Sequence, residues 1–212
     1  ALSVAELDEM IAAAERNKKL FTVHQNRRWD EDYLTVKKIF DEKQLGSIYR
    51  IESRVHGSRG IPSGWREEKE HGGGMVLDWG VHLLDQMLTM MGDAKLLSLY
   101  ATLTNITNDE CDDGFTVLAK FDNGVEWIAE VGTCNYIEMP RWYAFGDSGS
   151  VIIRNWDCEG EIVKIYNRGE DDVPPIQAGA GLTRTMAPRN EKTVEKFPVE
   201  KVKSDWAEYY KN

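Results

Sequence analysis

Between Gly72 and Gly92 the chain reads GGGMVLDWGVHLLDQMLTMMG. On a helix its polar side chains Asp78, His82, Asp85 and Thr89 fall within about 60° of one another, because steps of three and four residues return to the same face. Two carboxylates and an imidazole on one line of an otherwise apolar helix need a reason, since unpaired charge in a core is costly. Asp78 and His82 stand one turn apart, roughly 6 Å at Cβ. At that spacing a carboxylate orients an imidazole, or both reach one ligand. Histidine is the side chain best placed near neutral pH to give and take a proton, so the pair is proton-transfer equipment. A core histidine satisfied by a local hydrogen bond has the same pattern; the additional Asp85 favours the functional reading. Metal ligation is a weaker alternative. His82 with Asp78 or Asp85 offers nitrogen and oxygen ligands, and His71 or His24 could complete a set, but no second histidine shares the helix and no metal is expected.

The elements that must position this stripe follow from periodicity. Leu77, Val81, Leu84, Leu88 and Met91 form one apolar face, and Trp79, Leu83, Met87 and Met90 widen it, which predicts a buried helix stopped by Gly92. Upstream, Ser3-Val4-Ala5-Glu6 has capping-box spacing and predicts a helix over 3–17. Leu20–Val23 reads as a short strand, giving the tail of a βαβ unit whose earlier part is absent. Asp30 is the expected cap of a second helix reaching Leu45 and ending at Gly46. Ser47–Val55 then alternates like a half-buried strand, and 56–71 reads as a long loop.

After Gly92 the pattern turns to strands at 96–106, 115–121, 125–133, 141–145, 150–154 and 161–166, separated by turn signals such as Asp122-Asn123-Gly124. Short strands joined by tight turns run antiparallel, which predicts a meander of five to seven strands with helices on one face. Residues 167–198 read as a second long loop, and Ser204–Tyr210 as the start of a helix. There is no internal repeat.

A net charge of −10 argues against binding to nucleic acid, which rests on clustered Lys and Arg. Three widely spaced cysteines suggest neither a disulfide framework nor a zinc site, and a cytoplasmic setting is expected. No apolar run is long enough for a membrane span, and the start Ala1-Leu2-Ser3 lacks the regions of a signal peptide. Gly57-Ser58-Arg59-Gly60, Gly72–Gly74 and Gly179-Ala180-Gly181 are too short or wrongly placed for a strand-GxGxxG-helix phosphate cradle. Arg27, Arg28 and Arg66 could hold an anionic or polyhydroxyl ligand, or form salt bridges.

The run Val23-His24-Gln25-Asn26-Arg27-Arg28-Trp29-Asp30, then Trp65-Arg66, then Gly72-Gly73-Gly74 with Asp78-x-Gly80-x-His82-x-x-Asp85, resembles the glucose-fructose oxidoreductase, inositol dehydrogenase and MocA family. The resemblance implies an α+β fold: an open, predominantly antiparallel sheet with helices on one face, preceded by the last helix and strand of a truncated Rossmann domain. Residues 1–25 would be that remnant, and 26–212 a substrate-binding and oligomerisation domain cut at its C-terminal end. It implies an NAD(P)-dependent oxidoreductase acting on a sugar, polyol or related carbohydrate. His82 would be the acid/base and Asp78 its orienting or substrate-binding partner, with Arg28, Trp65, Arg66 and Asp85 as substrate contacts. NAD or NADP would be held mainly by the missing domain, which normally also supplies a Lys, so no cofactor-binding residue is assigned here and the fragment alone is expected to be inactive. A homodimer or higher oligomer would form through the sheet face. The alternatives are a metal-dependent isomerase or hydrolase on the Asp78/His82 stripe, and a non-catalytic dimerisation module.

Overall fold

The computed structural model describes residues 1–166 and 174–211. Helix α1, Val4–Arg16, opens where Ser3 Oγ accepts the Glu6 amide at 3.2 Å, while the Glu6 carboxylate receives the Leu2 amide at 2.6 Å. None of its residues is buried. The expected strand at 20–23 is absent: the segment is irregular and exposed, because an apolar run becomes a strand only against a ladder partner, and none of the described residues supplies one.

Helix α2, Glu31–Asp41, is shorter than expected. Asp30 precedes it without a side-chain cap and pairs instead with Arg27 at 3.0 Å; turns at 42–46 replace the last helical residues. Strand β1, Ile48–His56, follows. The chain then crosses the long loop, which carries two short 3-10 turns at Trp65–Glu67 and Lys69–His71. It enters a π-helical turn at Val76–Gly80 that continues as helix α3, Val81–Met91.

Six further strands match the expected positions closely: β2 Leu96–Thr104, β3 Gly114–Phe121, β4 Glu126–Gly132, β5 Trp142–Gly146, β6 Gly149–Ile153 and β7 Gly160–Ile165. The second long loop holds more structure than its composition suggests. A small hairpin, β8 Ile176–Ala178 and β9 Gly181–Thr183, is followed by β10, Val194–Pro198, which pairs antiparallel with β7; residues 167–173 lie outside the described residues. The C-terminal segment forms a 3-10 turn, Trp206–Tyr210, capped by Asp205 Oδ1 on the Ala207 amide at 3.0 Å.

The main sheet has eight strands in the order β10-β7-β6-β5-β1-β4-β3-β2. All pairs are antiparallel except β1 with β4. The expected single meander is therefore two, β2-β3-β4 and β5-β6-β7, with β1 inserted between them. The parallel pair is possible because the chain between β1 and β4 runs through the loop, α3 and two strands, ample for a crossover. Its central place also explains why Ile51, Glu52, Ser53 and Arg54 are all buried rather than alternately so. Arg50 Nε reaches Glu52 at 2.8 Å, Arg54 pairs with Glu52 and with Glu130 at 3.2 Å, and Trp127 Nε1 donates to Ser53 Oγ at 3.0 Å.

One sheet face carries Ile51, Trp127, Ala129, Phe115, Phe121, Trp142, Ala144 and Val151, and α2 and α3 cover it to form the core. The tie between α2 and the sheet is polar. Asp32, 1% exposed, accepts from Arg141 Nη2 at 2.6 Å, Arg141 Nε at 3.1 Å and Trp142 Nε1 at 2.8 Å. Removing one partner of a buried pair strands the other's charge. Asp32→Ala is expected to lower unfolding stability by about 3–5 kcal/mol, read by urea denaturation, whereas Lys37→Ala, which breaks a surface i,i+4 pair with Asp41, should change it by less than ~0.5 kcal/mol.

Candidate active site

The glycines at 72–74 bring two distant segments together. Gly72 and Gly74 take positive φ of 78° and 100°. A Cβ on Gly73 would lie 2.5 Å from the Arg66 carbonyl oxygen, so only glycine lets the loop lie against the start of the helix. The Gly74 amide donates to that same Arg66 carbonyl at 2.9 Å. Asp112 closes the helix N-terminus: its backbone oxygen accepts the Met75 amide at 3.0 Å and its carboxylate the Val76 amide at 2.9 Å. At Gly80 the helix packs onto Phe115, whose ring would be 3.1 Å from an added Cβ.

The helix buries only part of the apolar surface expected of it. Gly80, Leu83, Met87, Met90 and Met91 meet the sheet, while Leu77, Val81 and Leu88 are exposed, Leu88 at 55%. Both faces are apolar in sequence, and periodicity could not choose between them. The smaller Gly80 and the adaptable methionines allow the closer approach.

Both carboxylates of the polar stripe are held by arginines from outside the helix. Arg66 grips Asp78 through Nε at 2.7 Å and Nη2 at 3.3 Å, with its guanidinium over the Trp65 ring at 4.6 Å from the centroid. Arg28 grips Asp85 through Nε at 2.7 Å and Nη2 at 2.6 Å. The bidentate geometry is the strong form of this pair, and contact with Asp85 raises the pKa of Arg28 further. Beside it sits the Tyr33 hydroxyl, buried and without a hydrogen-bond partner among the described residues, its pKa pushed up first by burial and then by Asp85.

His82 lies between the two clamps, half-buried, and Asp78 is not its hydrogen-bond partner. Its Nδ1 is 3.1 Å from Gln25 Oε1. Burial lowers the His82 pKa below its ordinary 6.5, and the nearby Arg27 lowers it further against the opposing pull of Asp78 and Asp85. Arg27 is fixed by aromatic faces, 4.0 Å from the Trp79 centroid and 5.6 Å from that of Trp156. Its backbone oxygen accepts from buried Gln86 Nε2 at 2.7 Å, so the turn at Asn26–Trp29 is tied to α3. The same turn is steadied by Tyr209, whose hydroxyl donates to the Val23 oxygen at 3.1 Å and whose ring packs on His24 and Trp29.

All six side chains singled out by the sequence thus gather at one place: Asp78, His82 and Asp85 on the helix, Arg28 from the first turn, Trp65 and Arg66 from the second. Gln25, Trp79, Gln86, Asp112 and Trp156 were not singled out. Gln25 sits inside the Val23–Asp30 run, whereas Trp156 left no signal, because it arrives from the turn between β6 and β7. A cleft of about 380 Å³ opens beside Trp79, lined by His56, Gly57 to Gly60, Pro62, Met75 and Val131 to Thr133. His71 pairs with Glu68 and His24 packs on tyrosines, so neither joins His82, and among the described residues no three His, Cys, Asp or Glu side chains converge to hold a metal ion. No helix among them is long and apolar enough to cross a membrane.

An α+β domain with helices on one face of a mostly antiparallel sheet, carrying Asp-x-Gly-x-His on the covering helix, defines the class. The chain belongs to the GFO/IDH/MocA family: residues 33–152 match its C-terminal domain. It is 46% identical to an NAD-binding protein from Listeria innocua of known structure, with a TM-score of 0.89, covering 99% of this chain and 62% of that one. It is 28% identical over 161 residues to the scyllo-inositol 2-dehydrogenase (NADP(+)) IolW of Bacillus subtilis, 76% of this chain and 44% of that protein. An uncharacterized oxidoreductase of Schizosaccharomyces pombe is 42% identical over 89 residues, 41% of this chain and 24% of the relative. The chain therefore spans less than two thirds of the length of each.

A histidine whose folded pKa is depressed binds fewer protons than its unfolded counterpart below pH 6.5, so it costs stability as the pH falls through that value toward the folded pKa. Unfolding free energy is expected to decline between pH 7 and 5, and His82→Gln should flatten that part of the profile, measured by denaturant melts across pH.

Proposed function

We propose that this chain is the substrate-binding and oligomerisation domain of an NAD(P)-dependent oxidoreductase that moves a hydride between nicotinamide and a sugar, polyol or related carbohydrate. The observation that carries the reading is the half-buried His82, held below its ordinary pKa and flanked by Asp78 and Asp85, each locked by an arginine. A neutral imidazole is the right base to take the proton of a substrate hydroxyl as the carbon is oxidised, and its protonated form returns it in the reverse direction. The Arg66–Asp78 and Arg28–Asp85 pairs offer fixed donors and acceptors to neighbouring hydroxyls, with Trp65 beside them. Family membership and the inositol dehydrogenase among the relatives support a polyhydroxyl substrate.

The residues described do not fit a dinucleotide cradle. There is no strand-GxGxxG-helix segment, and the sheet is not the parallel, doubly wound kind. Nicotinamide would supply the hydride and be bound by residues outside this chain, as the known NAD-binding and NADP-dependent relatives, longer than this chain, support. The part of this chain is binding, orientation and proton handling; residues 1–25 would belong with the cofactor domain and 26–212 with the substrate domain.

Association of two copies through the uncovered sheet face belongs to the same reading. That face carries Tyr100, Leu118, Ile128, Tyr143, Phe145 and Ile152, with Tyr100 and Leu118 well exposed. Leu118→Asp is expected to shift the protein toward monomer in light scattering, with the fold intact by circular dichroism.

In the full-length protein, nicotinamide absorbance should change with a sugar or polyol from a broad panel, and His82→Ala should lower kcat by ~10²–10⁴, while this chain alone gives no turnover. A folded full-length protein that turns over no polyol with either nicotinamide would sink the reading.

A further inference from the structure

The ring of His82 has two nitrogens, and a base needs one of them free. Both carboxylates on its helix are occupied by arginines, Asp78 by Arg66 and Asp85 by Arg28. The hydrogen-bond partner the ring does have among the described residues is a neutral amide from another element. We propose that Gln25 is the positioning residue of His82: its Oε1 accepts the Nδ1 proton, fixing the tautomer whose Nε2 lone pair faces the substrate.

Gln25 is placed for this by its backbone. Its amide donates to the Val23 oxygen at 3.0 Å, and its own oxygen accepts the Arg28 amide at 3.3 Å as the turn at Asn26–Trp29 begins. The turn is anchored to α3 by Gln86, one helical turn beyond His82. Gln25 therefore moves with the helix it serves, and its side chain spans only the gap to Nδ1.

An amide has a consequence a carboxylate would not. A carboxylate on Nδ1 stabilises the imidazolium and raises its pKa, whereas an amide orients the ring without adding charge. The charged and titratable groups that act on the ring are Arg27 and His24 from the segment that carries Gln25, and Asp78 and Asp85 from its own helix. Each carboxylate is paired with an arginine, the guanidinium of Arg27 lies against the Trp79 face, and the ring is half-buried, so a neutral partner adds no charge to an environment that already favours the neutral imidazole. Glutamine holds the ring in one orientation at every pH, and the base is ready without a proton first having to leave.

The inference rests on the proposed reading only for what Nε2 does; the tautomer itself is a property of the protein without substrate. It is tested by NMR of isotope-labelled histidine side chains, with the His82 signals assigned by their loss in His82→Gln. The expected result is a neutral ring protonated at Nδ1 in the wild type, a shift of population toward the Nε2-protonated ring in Gln25→Leu, and retention of Nδ1 protonation with a raised titration midpoint in Gln25→Glu. In turnover, Gln25→Leu should lower kcat with little change in KM, by less than the ~10²–10⁴ of losing the imidazole, and Gln25→Glu should move the acid limb of the pH profile upward. A wild-type ring protonated at Nε2, or a tautomer unchanged in Gln25→Leu, overturns the inference. The expected tautomers in a protein that turns over no polyol would leave the positioning intact and overturn the oxidoreductase reading instead.

Discussion

Two arginine–carboxylate clamps set the terms for the rest of the site. Asp78 and Asp85 sit on a helix whose remaining surface is almost wholly apolar, where a half-buried carboxylate is costly without a partner. Arg66 and Arg28 provide it from two separate segments, each with two hydrogen bonds to one carboxylate. Each clamp fixes a loop to the helix as firmly as it fixes a charge. The space between them is where His82 lies, and burial first, then the nearby Arg27, presses its imidazole toward the neutral form against the pull of Asp78 and Asp85.

The sheet stands behind this arrangement as a rigid support. Its central strand β1 is buried on both sides, which a strand with Glu52 and Arg54 tolerates only because each finds an opposite charge next to it. Asp32 performs the corresponding service for α2, gathering Arg141 and Trp142 from β5 and the segment before it. Arg141 in turn lies over the Trp156 ring, 3.6 Å from its centroid, and Trp156 also faces Arg27. A chain of contacts thus runs from the buried acid of α2 to the cation beside His82, and the stability of the core and the tuning of the site share residues.

Much of the fold was legible in the sequence. Strands β2 to β7 fell close to where residue type and turn signals placed them; β3 and β4 show the alternation of a half-buried strand, whereas β2 is exposed along its whole length. The helix of the site was legible as a helix, and so was its polar stripe. What failed were features that depend on a partner in space. Leu20–Val23 has the composition of a strand and no neighbour among the described residues to pair with; Val194–Pro198 lies in a segment with little periodicity and becomes a strand because the edge of β7 is available. Asp30 had the type and position of a helix cap, but the nearer guanidinium of Arg27 took its carboxylate.

For the site the division is the same. Residue type and spacing alone determined that Asp78, His82 and Asp85 share one helix face, and that glycines precede it, because these are matters of 100° per residue and of missing Cβ atoms. The tertiary structure alone decided which apolar face of that helix is buried, that Asp78 answers to Arg66 rather than to His82, and that an amide from residue 25 takes the ring nitrogen. Each of those outcomes is a contest between partners far apart in the chain, settled by distance and desolvation, and neither quantity is written in sequence order.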